Sequence, residues 1–223
     1  MTILDELLLQ WQSLKPATAP PNEAVPLWQH GGCVIYIDNK LGPRIPYPAV
    51  EHEDGTRNHG YTHLKGNKDA IQRIPELQGW PAFAELVEAI NEPGSPIESV
   101  GCEIGYFDVS DNGGPPWMLG AYVDVIFSNT VLNESPENFL QLAARLIQAV
   151  EGCEQWWGSV ELGLQRLRGL TGVAEPWGLM IRICNHGRDK DEAYKFWQES
   201  ASRLSTEALR LQKDFPRNDT TRM

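Results

Sequence analysis

The sequence contains no apolar run that could cross a bilayer, since a transmembrane helix needs about 20 consecutive apolar residues. Its N-terminus also lacks the positive charge of a secretory signal, because Asp5 and Glu6 precede the leucine run there. We therefore expect a protein of the cytoplasm that has no membrane partner.

The four cysteines, Cys33, Cys102, Cys153 and Cys184, form no CxxC pair. This spacing gives no sign of a zinc site or a disulfide framework. The sequence also has no GxSxG elbow, no phosphate-binding loop, no HExxH motif and no GxGxxG. We expect no enzyme activity and no cofactor.

Basic residues are nearly absent from the middle of the chain. Between Ile74 and Gln165 there are 14 acidic residues and one basic residue, Arg145, whereas the remainder has 16 acidic and 18 basic residues. Such a charge distribution repels nucleic acid and attracts a basic partner. The alternative is that the acidity only maintains solubility.

Hydrophobic periodicity predicts one α+β domain over residues 1–223. Residues 1–79 form an irregular N-terminal part with one short helix (3–14), a proline-rich linker and one strand (33–37); residues 214–223 form a tail. The core, 80–213, contains helices at 81–91, from 136 and at 189–213, and strands at 99–109, 118–127, 156–167 and 177–184.

In the core the order strand–strand–helix occurs twice, which predicts an antiparallel sheet with helices packed on one face. Alternation in the first strand places Val100, Cys102, Ile104 and Tyr106 on the face toward the helices. The same alternation points Glu103, Asp124, Glu161 and Arg182 away from the helices, so the open face of the sheet is expected to be acidic unless another element covers it.

The acidic residues give the candidate binding site. Glu85, Glu88 and Glu92 share one helix face with no lysine or arginine between them, although like charges at this spacing oppose helix stability. We predict that the partner contacts these three residues together with four from the strand pair and its turn: Glu103, Asp108, Asp111 and Asp124.

A histidine-rich segment at residues 51–63 offers an alternative site. It places His52, His59 and His63 beside three acidic residues, and the last two histidines are four residues apart. These residue types can ligate a metal, so a metal-assisted hydrolase is the alternative function. Its glycines disfavour a helix, and the segment also fits a solvated polar loop or a partner-binding loop.

Tryptophans lie near the strand ends, at Trp117, Trp156, Trp157 and Trp177. Tryptophan at such a position serves either core packing or an interface. A further alternative is therefore a structural or adaptor protein of a secretion system that forms homo-oligomers through these residues.

The sequence also resembles a known family. The residues that carry the resemblance are Trp80-Pro81, Ile90-Asn91, Gly101 to Ile104, Trp117, Tyr122 to Val125, Trp156-Trp157 and Pro176 to Gly178. Over roughly residues 80 to 200 they resemble the immunity protein 52 family of bacterial polymorphic-toxin and type VI secretion systems. The resemblance implies an α+β protein that binds and neutralises a cognate secreted toxin of nuclease type.

Overall fold

The computed structural model describes residues 1–14, 23–51, 53, 55, 57–152, 158–170, 175–211 and 215. In chain order the elements are α1 (Ile3–Ser13), β1 (Ala24–His30), β2 (Cys33–Arg44), β3 (Val50–Glu51), β4 (Arg57–Asn58), α2 (Lys68–Ile71), α3 (Pro81–Ile90), β5 (Ile97–Asp108), β6 (Trp117–Phe127), α4 (Pro136–Val150), β7 (Gly158–Arg168), β8 (Trp177–Gly187) and α5 (Lys190–Arg210). The predicted α+β class is confirmed.

The main sheet has six strands in the order β1-β2-β7-β8-β6-β5, and β3 pairs separately with β4. All neighbours in the main sheet are antiparallel except β2 and β7, which are parallel. The four core strands, β5 to β8, pair antiparallel as predicted, whereas the whole sheet is mixed. The reason is that the β1–β2 hairpin joins the sheet beside β7, pairing Cys33 with Val160, and no local pattern signals so distant a partner.

Helices α1, α3, α4 and α5 share one hydrophobic core with the inner face of the sheet. Proline in the first turn favours the starts of α3 and α4, since a first-turn N–H has no partner within the helix. At the start of α5 the Asp189 side chain accepts a 2.8 Å hydrogen bond from the Glu192 N–H. Among the described residues, no helix is both long enough and apolar enough to span a membrane.

The N-terminal part is more ordered than predicted. Strand β1 begins inside the proline-rich linker, while β2 continues to Arg44, within the segment expected to be irregular. That segment is also tied to the core, because Lys65 Nζ donates a 2.7 Å hydrogen bond to the Ser95 carbonyl. It therefore supplies part of the structure around the sheet.

A bulge in β5 changes the predicted face of Val100. Pairing with β6 shifts between Ser99 and Gly101, so Val100 lies on the face opposite the helices. There it packs in a second, smaller core with Ile45, Ile126 and Leu167. Cys102, Ile104 and Tyr106 remain on the helix side, as predicted. The second core fixes residues after β2 over one end of the open face.

Candidate functional site

Six of the seven acidic residues predicted to bind a partner lie in two groups of three, and Asp124 lies apart from both. Glu85 is exposed on α3, Glu88 is half-buried on α3, and Glu92 follows the end of that helix. The Glu92 carboxylate lies 3.0 Å from Lys68 Nζ, and this hydrogen bond raises the pKa of Lys68. We call Glu85, Glu88 and Glu92 the α3 group. Lys68, which precedes the base-poor stretch of the sequence, thus partly neutralises the charge of this group.

The second group follows the outer strand β5 and the turn after it. Glu103, Asp108 and Asp111 are exposed, and within the described residues none of them forms an ion pair. Phe107 is 51% exposed, and its ring lies against Gly120 of β6. We call Glu103, Phe107, Asp108 and Asp111 the β5 acidic edge; it combines negative charge with an accessible aromatic ring.

A polar row crosses the open face beside this edge. Strand pairing aligns Glu103 with Tyr122, Tyr122 with Arg182, and Arg182 with Glu161. The Arg182 guanidinium lies 3.5 Å from the Glu161 carboxylate. Glu161, which is half-buried, is therefore paired with a base, whereas Glu103 is exposed and forms no ion pair with a described residue.

Asp124, the seventh predicted residue, lies on the open face but is only 8% exposed. Gln165 Nε2 donates a 2.8 Å hydrogen bond to Asp124 Oδ1. Burial raises the pKa of Asp124 to about 7, whereas the bond from Gln165 acts in the opposite direction. A buried carboxyl that titrates near neutral pH marks a candidate functional group.

The segment after β2 buries Asp124. The Ile45 N–H donates a 2.8 Å hydrogen bond to the Arg168 carbonyl, and the Tyr61 N–H donates one of 3.0 Å to the Tyr47 carbonyl. Gly60 permits this close packing: its φ is +83°, and a Cβ there would lie 2.7 Å from the Ala49 nitrogen. Tyr47 is thereby held over the open face, next to Asp124.

Among the described residues around Asp124, Cys102 and Tyr47 are poorly suited to act as nucleophiles. Burial raises the pKa of the Cys102 thiol to about 12, so the thiol is protonated at neutral pH and is a weak nucleophile. Burial likewise raises the pKa of Tyr47 to about 12. The arrangement suits hydrogen bonding and electrostatic recognition by Asp124.

The alternative metal set is only partly placed. His52 lies outside the described residues, and His63 Nε2 lies 3.3 Å from a Glu98 oxygen. Over the described ranges, no group of three or more His, Cys, Asp or Glu side chains is arranged to hold a metal ion.

The tryptophans proposed for self-association differ in environment. Trp177 is only 5% exposed; it packs edge-on against Trp11 with ring centroids 5.9 Å apart, and the Arg166 guanidinium lies 3.9 Å from its ring. Trp117 is half-buried beneath Lys190, whose Nζ lies 4.4 Å from the ring. Trp156 and Trp157 lie outside the described residues. Trp177 is thus a core residue and offers no interface.

Sequence reasoning missed three contributors to the site: Tyr47, Gln165 and Gly101. The one local signal of this site in the sequence is Asp124 itself, an aspartate within the apolar run Tyr122 to Phe127, where a carboxyl must face either solvent or a polar partner.

Comparison of the chain with protein-family models, curated proteins and solved structures finds no match, so the functional argument rests on this geometry and on the sequence pattern.

Proposed function

We propose that the protein binds and neutralises a cognate secreted bacterial toxin of nuclease type, and that the β5 acidic edge contacts a basic surface of that toxin. The observation that carries the proposal is that the three exposed acids of the β5 acidic edge, Glu103, Asp108 and Asp111, form no ion pair with a basic residue among the described residues. The sequence resemblance to immunity proteins supports the choice of a toxin as the partner.

Electrostatics explains how such a surface could act. A nuclease needs a basic groove to hold phosphates. An acidic inhibitor competes for that groove, and complementary fields raise the association rate above that of a neutral pair. Phe107 adds an exposed aromatic ring among the charges, the type of residue that often anchors an interface. The protein would act in the cytoplasm of the producing cell, where free toxin is harmful.

Co-expression with the product of the adjacent gene tests the proposal. We expect the toxicity of that product to disappear and the two proteins to co-purify. A product that is not toxic, or a toxic product that neither binds nor is neutralised, would overturn the proposed function.

Matched charge reversals then test the surface. Changing Glu103, Asp108 and Asp111 to lysine should slow association about tenfold or more at low salt and reduce its salt dependence. The same measurement on the reversal of Glu85 and Glu88 reports on the α3 group, on the opposite side of the sheet. An association rate that does not change in the first variant removes the β5 acidic edge from the proposal.

A further inference from the structure

A pocket opens on the sheet face beside the β5 acidic edge. Its walls include Tyr47 and Val50 from the segment after β2 and Tyr122 from β6, while Asp124 and Gly101 lie at its base. Gly101 leaves the base open because it has no side chain. The pocket thus combines aromatic rings and apolar surface with one buried carboxyl group.

Asp124 presents only one available oxygen to this pocket. Oδ1 accepts the hydrogen bond from Gln165, and this is the one hydrogen bond that the Asp124 carboxyl makes with the described residues. A Cβ built on Gly101 would lie 3.4 Å from Oδ2 and 3.5 Å from Tyr47 Oη. Two oxygen acceptors therefore converge on the same point above Gly101.

This arrangement favours a primary ammonium group. An ammonium is a compact charge with three N–H donors, and it can bind both oxygens at once. A guanidinium is held best by both oxygens of a carboxylate, but Gln165 already occupies one of them. The rings of Tyr47 and Tyr122 attract a cation, and Val50 can contact the alkyl stem.

Two basic groups near the pocket, Arg57 and Arg182, have other partners. Arg57 lies 2.8 Å from Glu51, and Arg182 lies 3.5 Å from Glu161. We propose that the Asp124 pocket binds a lysine side chain of the toxin, as an anchor beside the β5 acidic edge. This inference rests on the proposed function, because it assigns the lysine to the same partner.

The ligand class is tested first without the toxin, with n-butylammonium as the probe. Its binding is followed by the NMR signal of the Asp124 carboxyl carbon in the whole protein. At about pH 8 we expect saturable binding that is stronger than binding of guanidinium. Because the pKa of Asp124 is about 7, affinity should fall about tenfold for each pH unit below that value.

Four described groups near Asp124 do not produce this pH dependence. Burial raises the pKa of Tyr36, Tyr47 and Cys102 to about 12, and it also raises that of Tyr122. None of these four groups titrates between about pH 5 and pH 8. The charged groups in the neighbouring row are Glu103, Glu161 and Arg182.

Two variants distinguish the effect of the Asp124 charge from the effect of the open space above Gly101. Asp124→Asn keeps the shape of the side chain and removes its charge, so butylammonium affinity should fall at least about tenfold. Gly101→Ala leaves the charge unchanged and fills the base of the pocket; its methyl group makes ordinary contacts of 3.4 and 3.5 Å, so the fold accommodates it. Glu151→Gln, at an exposed position directly after α4 on the helix side of the sheet, is the control for loss of one carboxylate.

Absence of saturable butylammonium binding to the wild type, or equal binding to Asp124→Asn, overturns the ammonium pocket. With the toxin, both pocket variants should lower affinity at least about tenfold relative to Glu151→Gln. Unchanged toxin affinity in both variants overturns the lysine anchor and leaves the proposed function standing. Failure of the wild type to bind the toxin overturns the proposed function, and butylammonium binding then supports only the ligand class of the pocket.

Discussion

Replacing Asp124 by asparagine should remove a pH dependence from the stability of the protein. Burial raises the pKa of Asp124 in the folded protein to about 7, whereas the ordinary pKa of an aspartate in an unfolded chain is 3.8. Between these values the unfolded state binds fewer protons than the folded state, so the free energy of unfolding falls as pH rises. The stabilising contribution is complete below the unfolded pKa and is lost as pH rises through about 7.

The structure sets the size of the effect. The pKa difference is about three units, and each unit corresponds to about 1.4 kcal/mol, which gives about 4 kcal/mol in total. Asparagine can still accept the hydrogen bond from Gln165 through its amide oxygen. The variant should therefore resemble the wild type in stability at about pH 4 and exceed it by about 4 kcal/mol at about pH 8.

Urea unfolding of both proteins across this pH range measures the difference. Titration of the other groups is common to both proteins and largely cancels in that difference. Glu85→Gln serves as the matched control, since it removes a carboxyl from an exposed position. A difference between Asp124→Asn and the wild type that stays constant with pH would refute the reasoning and would mean that Asp124 is solvated in the folded protein.

Three further predictions concern other parts of the molecule. Asn91→Ala should lower the free energy of unfolding in urea by about 3 kcal/mol, because this buried side chain donates two hydrogen bonds and accepts a third. Gly60→Ala should lower it by about 2 kcal/mol and weaken butylammonium binding, because φ is +83° there and the segment carrying Tyr47 must shift. Reversing Glu85, Glu88 and Glu92 to lysine should slow toxin association and weaken its salt dependence in stopped-flow measurements; unchanged kinetics would exclude α3 from the interface.

The elements that the sequence predicts well have strong local signals. Pro81 and Pro136 mark the starts of two helices, and alternating residues mark the strands from Ile97 onward. Strand β1 was missed because Pro26 is typical of a linker, although an edge strand tolerates proline. The parallel pairing of β2 with β7 could not be predicted, since it depends on packing between distant segments.

In the candidate site, too, some features have a local sequence signal and others depend on packing between distant segments. The sequence pattern predicts Asp124 as an acid on the open face, but the burial of Asp124 depends on Tyr47, which is distant in sequence. The bulge after Ser99 likewise moves the Val100 side chain to the open face, where it packs against Ile45 of the segment after β2. Alternation of apolar residues alone cannot predict this bulge. Lys68 neutralises Glu92 from outside the acidic stretch. Charge patterning thus identifies the acidic residues, whereas the tertiary fold decides which of them remain accessible.

The parallel pairing of β2 with β7 also bears on when the pocket can form during synthesis. Domains emerge from the ribosome from the N-terminus, and distant pairings form late in folding. Residues 24–44 are made early, but their partner strand, Gly158–Arg168, is made in the last third of the chain. Tyr47 follows β2 and is held by contacts that include Arg168, so it can reach Asp124 only after β7 is made. The Asp124 pocket therefore cannot be complete before β7 has been synthesised.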